Sequence, residues 1–190
     1  GSRIRLWDTR TGRLLRSFHG ASTIVNDVAF SPDEKLLISG HALGVVNFWP
    51  VRLDEGIASA RVESSSGRRV LFGRDGAGFY ALAGHTIAAL ETRGSVQRWK
   101  FLSERLRFLD LAEHPTDGSI LLSEQNKKTL IRLSSAGVAS ETFGTSGFST
   151  LKFNRSGQLL LGVNPDTSLS VMEYPSGKEL RKISFQTTSS

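Results

Sequence analysis

The chain has 190 residues, 38% of them hydrophobic and 22% charged, which is enough apolar surface to bury a core and far from the composition of a disordered segment. Its 24 basic residues outnumber 18 acidic ones for a net charge of +6, with a sequence pI near 10.1, so an acidic partner or nucleic acid has to be considered. The absence of cysteine excludes disulfides, thiolate nucleophiles and thiolate-bound zinc, and no apolar run approaches the roughly 20 residues that a membrane-spanning helix needs.

Taken in chain order, the elements are short. Ile4 and Leu6 alternate with polar neighbours in a strand, Thr11-Gly12 marks a tight turn, and the chain from Arg13 to His19 reads as a second strand. IVNDVAF (24–30), KLLISG (35–40), VVNFW (45–49), RRVLF (68–72), SILLS (119–123), LIRLS (130–134), FSTLKF (148–153), QLLLGV (158–163) and LSVMEY (169–174) follow. Each is strand-sized, rich in Val, Ile, Leu or Phe, and bounded by turn residues. The best helical candidate, SERLRFLDLAEH (103–114), also reads as a strand from Arg107 to Leu111. The class is all-β.

The strands repeat. AFSPDEKLLISG (29–40), LFGRDGAGFYALAG (71–84), LAEHPTDGSILLSE (111–124) and LKFNRSGQLLLGV (151–163) share one plan of apolar end, polar turn and second apolar strand. Their lead residues Phe30, Phe72, Leu111 and Phe153 lie 42, 39 and 42 positions apart, the period of a repeat array, and are expected to be buried equivalents between neighbouring units. The two ends match as well. Residues 4–18 align without a gap on 169–183, pairing Gly12 with Gly177, Leu15 with Leu180 and Arg16 with Arg181.

IRLWD with its Thr-Gly turn, and VNDVAFSPDEKLLISG followed by VVNFW, resemble WD40 repeats, the four-stranded antiparallel blades of a β-propeller. The resemblance implies about four and a half blades in one segment, 1–190. With the strands of a blade called a to d, residues 1–19 hold c and d of a half blade, and full blades occupy 24–63, 68–101, 106–143 and 147–185. Trp7-Asp8 is a true WD pair, Trp49 is followed by Pro50, and Leu90 and Ser134 fall near the Trp position of the middle repeats. Ser39 with Trp49 is the best remnant of the side-chain network that many such blades carry. A closed propeller cannot lack a and b of one blade, so a second chain or fragment is expected to complete it.

Motifs for chemistry fail. There is no Gly-x-Ser-x-Gly elbow or phosphate-binding Gly-x-x-x-x-Gly-Lys, and GRDGAG (73–78) is a turn. No two of His19, His41, His85 and His114 have metal-ligand spacing, so no catalytic residue, metal or cofactor is assigned. The 17 arginines are dispersed over different elements without interleaved aromatics, which favours strand-capping and solvated roles over a nucleic-acid stripe. What the resemblance implies is a non-catalytic scaffold for protein–protein interaction, the docking or sensor part of a larger protein, with a nucleic-acid-binding propeller as the alternative. A cytoplasmic location is expected, or a nuclear one in a eukaryote, and no membrane partner. One face of such a domain gathers the d-to-a loops and b-to-c turns. On it, His19, His41, His85, Arg105, Lys127 and Asp166 are the expected exposed contacts for a protein partner.

Overall fold

The computed structural model describes residues 3–19, 23–42, 44–51, 58–61, 67–92, 97–103, 106–125, 129–144 and 147–185. Among them run eighteen strands and no helix. β1 (Ile4–Trp7) and β2 (Leu14–Phe18) form a two-stranded sheet. Four sheets of four strands follow, each an antiparallel meander in chain order. The first joins β3 (Val25–Phe30), β4 (Leu36–His41), β5 (Val45–Pro50) and β6 (Ala58–Arg61); the second joins β7 (Gly67–Phe72), β8 (Gly78–Ala83), β9 (Thr86–Glu91) and β10 (Gln97–Leu102). The third holds β11 (Phe108–Glu113), β12 (Ile120–Glu124), β13 (Thr129–Leu133) and β14 (Ala139–Gly144); the fourth holds β15 (Thr150–Phe153), β16 (Leu159–Val163), β17 (Leu169–Glu173) and β18 (Glu179–Ile183). The inner strands β3, β7, β11 and β15 are neighbours in turn, and among the described residues the sheets do not close on themselves.

The ungapped alignment of the two ends holds at the level of backbone pairing. Ile4 faces Phe18 as Leu169 faces Ile183, and Leu6 faces Arg16 as Val171 faces Arg181. Both hairpins then shift register at the same point, before the pairs Trp7 with Leu14 and Met172 with Glu179. Gly12 and Gly177 both sit at positive φ, 68° and 70°, where an L side chain is strained. Asp8 locks the first turn by accepting the Arg10 and Thr11 amides, each at 2.8 Å.

One small sheet has two apolar faces and can bury them only against other sheets, so the core is divided into layers between blades. Between the first two full sheets lie Ile38, Val46 and Phe48 against Val70, Phe72 and Phe79, with Phe48 and Phe79 meeting edge to face at 5.2 Å. Leu82 and Ile87 meet Phe108, Leu111 and Leu122 in the next layer, and Ala112, Leu121 and Leu130 meet Leu151, Leu160 and Met172 in the third. Ile4 and Phe18 of the two-stranded sheet pack on Leu37 and Trp49, with Phe18 and Trp49 ring centroids 5.6 Å apart.

The pairing of inner with second strands fixes the equivalent positions. Phe30, Phe72 and Phe153 face Leu37, Phe79 and Leu160, and Glu113 faces Ile120 in the third sheet. Glu113, not Leu111, is thus the third member of that series. Nor are the members buried alike. Phe72 is 5% exposed and Phe30 50%. Phe72 points back at a complete sheet, whereas only a two-stranded sheet precedes Phe30. The Trp49 position is filled by Leu90, Leu133 and Met172, all buried, so Leu133 takes it instead of Ser134. Trp7 stands at the same c-strand position through its match to Met172, yet it is 49% exposed because no strand pairs with it on the b side among the described residues.

Candidate functional site

Antiparallel meanders place every d-to-a loop and b-to-c turn at one end of the blades. At that end each inner strand begins. The first residue after the register shift in β3, β7 and β11 is Asp27, Arg69 and Asp110, and Thr150 takes the same place in β15. These four are linked from blade to blade. Asp27 accepts the Val70 amide at 3.0 Å and its own neighbour Val28 at 3.0 Å. Asp110 accepts the Leu151 amide at 2.7 Å and pairs with Arg69 Nε at 3.1 Å, while the Arg69 guanidinium also donates to Thr150 Oγ1 at 3.4 Å. Burial pushes the Asp110 carboxyl up from its ordinary range, and the Leu151 amide and Arg69 hold it partly in check. The Asp110 carboxylate therefore ties three consecutive blades together. Arg69 extends the same tie from the second.

A second polar chain runs inside the first full sheet. Trp49 Nε1 donates to Ser39 Oγ at 2.7 Å, and Ser39 Oγ lies 2.7 Å from His41 Nε2. The Ser39 hydroxyl thus bridges the indole of Trp49 and the imidazole of His41. Burial also lowers the His41 pKa, in line with a neutral ring. The Ser39 and Trp49 remnant expected from the sequence is present, and His41 extends it.

His41 is consequently not an exposed contact. It is 1% exposed, held under the loop end of the blade as the last residue of β4. His19, His85 and Asp166 are exposed at that end. His85 occupies the β8–β9 turn and donates Nδ1–H to the Leu106 carbonyl at 2.8 Å, which leaves Nε2 outward. Asp166 caps its own turn by accepting the Ser168 amide at 3.0 Å and meets Lys182 at 3.0 Å; the Ser168 hydroxyl and Lys182 bring its pKa down to about 2. Arg105 and Lys127 lie outside the described residues. Asp27, Arg69 and Asp110 were not singled out from the sequence, although their places recur at intervals of 42 and 41 residues.

Several other arginines are engaged as well, Arg16 and Arg74 between blades and Arg98 and Arg132 within one. Arg16 donates to the Pro50 carbonyl at 2.6 Å and stands 4.7 Å over the Phe18 ring. Arg74 donates to the Pro115 and Thr116 carbonyls, and its own amide reaches Glu113 at 2.8 Å. Arg98 lies against Glu91 and Asp75, and Arg132 pairs with Asp117 at 2.8 Å. At the end opposite the loops, His114 packs on Phe153 and Tyr174 at 5.0 and 5.2 Å, with Gly157 directly over its ring. A cavity of about 10 Å³ between Gly40, Val46, Arg69 and Val70 has room for one water and no substrate. Among the described residues no group of His, Asp and Glu is placed to hold a metal ion.

No family model matches the chain. It is 31% identical over 134 residues to WD repeat-containing protein SL1-17 of Schistosoma mansoni, a match that covers 68% of the chain and 42% of that protein. It is 41% identical over 46 residues to Protein ROOT INITIATION DEFECTIVE 3 of Arabidopsis thaliana, covering 24% of the chain and 10% of that protein. The chain spans less than half the length of the curated relatives it matches.

Proposed function

We infer, for a chain that belongs to the WD40-repeat β-propellers, that it is a non-catalytic scaffold which binds protein partners through the loop end of its blades. The observation that carries this reading is the use of the charged residues. Asp27, Arg69 and Asp110 tie inner strands together, and Arg16, Arg74 and Arg98 hold neighbouring strands and turns. This leaves a stiff frame whose variable part is its loops, the arrangement by which a fold presents contacts. Exposed His19, His85 and Asp166 are the contacts of that surface. The frame is one part of a larger assembly in the cytoplasm or nucleus, and strands from outside residues 1–190 complete its two-stranded sheet.

The same observation weighs against nucleic acid. Guanidinium groups engaged with carbonyls and carboxylates within and between blades are less available to phosphates, and a phosphate-binding face needs them clustered. Affinity capture with quantitative mass spectrometry tests the reading. The His19→Ala, His85→Ala, Asp166→Ala triple variant should lose the partners that the parent retains, while Arg155→Ala with Lys178→Ala at the opposite end should keep them. Tight binding to a mixed-sequence duplex, with a steep fall in affinity between low and high salt, would overturn it.

A further inference from the structure

The four residues at the loop end of the inner strands differ in what they have left to offer. Asp27 accepts the Val28 and Val70 amides on its two oxygens, and Asp110 accepts the Leu151 amide on one oxygen and faces Arg69 Nε with the other. Each carboxylate thus has both oxygens engaged. Arg69 and Thr150 do not use all their donors. The Arg69 side chain is 35% exposed, whereas that of Asp110 beside it is 5% exposed. Its Nε is directed at Asp110 at 3.1 Å and its Nη2 at Thr150 Oγ1 at 3.4 Å, and Nη1 has no acceptor among the described residues. Thr150 is half-buried, and since its oxygen accepts from Arg69, its own proton is still to be given; no described residue takes it.

Arg69 belongs to β7 and Thr150 to β15, two sheets on, so the side chain reaches across the end of β11, where Asp110 holds it. A guanidinium fixed in this way by a buried carboxylate has its direction set before any ligand arrives. Beside it the charges nearly balance. Asp110 offsets part of the Arg69 charge, Asp27 heads the first of these strands, and Lys152, exposed on β15, adds a further positive charge to the field at Asp110. One guanidinium in that setting suits a singly charged carboxylate. A doubly charged phosphate calls for a cluster of arginines and is repelled by neighbouring aspartates.

We propose that Arg69 and Thr150 form a site for the carboxylate of an aspartate or glutamate side chain on a partner protein, with Arg69 Nη1 and Thr150 Oγ1 donating to it and Asp110 positioning the guanidinium. The inference rests on the reading that the loop end binds protein partners, and it names the group recognised there.

The test uses the 190-residue chain labelled with nitrogen-15, the Arg69 Nε–H resonance being assigned with Arg69→Lys, and two probes at millimolar concentration, acetyl-Gly-Glu-Gly-amide and acetyl-Gly-Gln-Gly-amide. The Glu peptide should shift the Arg69 Nε–H and the Leu151 amide saturably, and less as salt rises, while the Nε–H signals of Arg16, Arg74, Arg98 and Arg132 stay in place. The Gln peptide should bind about tenfold more weakly, and Thr150→Val should weaken the Glu peptide about fivefold, the order expected for one hydrogen bond. No shift at Arg69, equal binding of the two peptides, or a common shift of every arginine would overturn the proposal. Affinity capture separates this from the broader reading. If the His19→Ala, His85→Ala, Asp166→Ala triple variant loses partners that Arg69→Lys and Thr150→Val both keep, the carboxylate site falls and the loop-end reading stands; if the triple variant keeps them all, the loop-end reading itself falls.

Discussion

Removal of the Asp110 carboxylate should loosen three blades at once. Asp110→Ala leaves the Leu151 amide buried without its 2.7 Å acceptor, a loss of about 1–3 kcal/mol. It also strands Arg69, but that side chain is 35% exposed and water screens it, so the ion pair adds no more than about 0.5–1 kcal/mol. Against this, the carboxylate is held ionised at a cost that its raised pKa reveals, and the cost disappears with it. The net loss expected is about 2–3 kcal/mol. Asp110→Asn keeps an oxygen for the Leu151 amide and should lose only about 1 kcal/mol. Urea unfolding followed by far-UV circular dichroism measures both, with Arg69→Ala and the Asp110→Ala, Arg69→Ala pair closing a double-mutant cycle. A loss under about 0.5 kcal/mol for Asp110→Ala, or equal losses for Ala and Asn, would refute the assignment of Asp110 as the tie between inner strands.

Phe72→Ala should cost about 3–5 kcal/mol as a fully buried ring, and Phe30→Ala less than about 1 kcal/mol, although the two occupy equivalent sites; chemical denaturation of both variants separates them. Gly157 and Gly177 have similar φ, 77° and 70°, but an added methyl would run into His114 Nε2 at the first and meet nothing within 4 Å at the second. Gly177→Ala should therefore cost about 1 kcal/mol and Gly157→Ala about 3 kcal/mol, read as the difference in unfolding midpoints. Burial lowers the His41 pKa below its ordinary 6.5, so the folded chain binds fewer protons than the unfolded chain. The contribution of His41 is present above that value and is lost as pH falls through it. Stability should drop between pH 7.5 and 5.5 by more in the parent than in His41→Gln, measured by urea unfolding at the two pH values.

Much of the fold was legible because its signals are local. Turn glycines and a period near 41 residues mark the hairpins, and the match of residues 4–18 to 169–183 proved right down to the register shift beside Trp7 and Met172. What sequence could not locate was which neighbour each strand face meets. Phe30 and Phe72 look alike in sequence, and only the completeness of the preceding sheet divides one exposed ring from one buried ring. Apolar character points to Leu111 for the third lead position, whereas the pairing with Ile120 places the Glu113 carboxylate there, reached by the Arg74 amide. His41 looked like a turn residue, yet Ser39 two positions before it on the same strand and Trp49 across from it draw the ring inward. Asp27 and Asp110 carry no local signal, because the amides they accept lie about 40 residues away.

The most direct test of the account is native-state hydrogen exchange along the whole chain. Blades whose apolar layers form only with their neighbours, beginning among the described residues with a two-stranded sheet, should differ in protection by position. Amides of β8, β9 and β12, in the fully sandwiched middle sheets, should exchange slowest. Those of β1 and β2 should exchange fastest among the strands, with the alternate amides of β1 that face the open edge exchanging without protection. Equal protection of β1 and β8 would contradict a core divided into layers between blades.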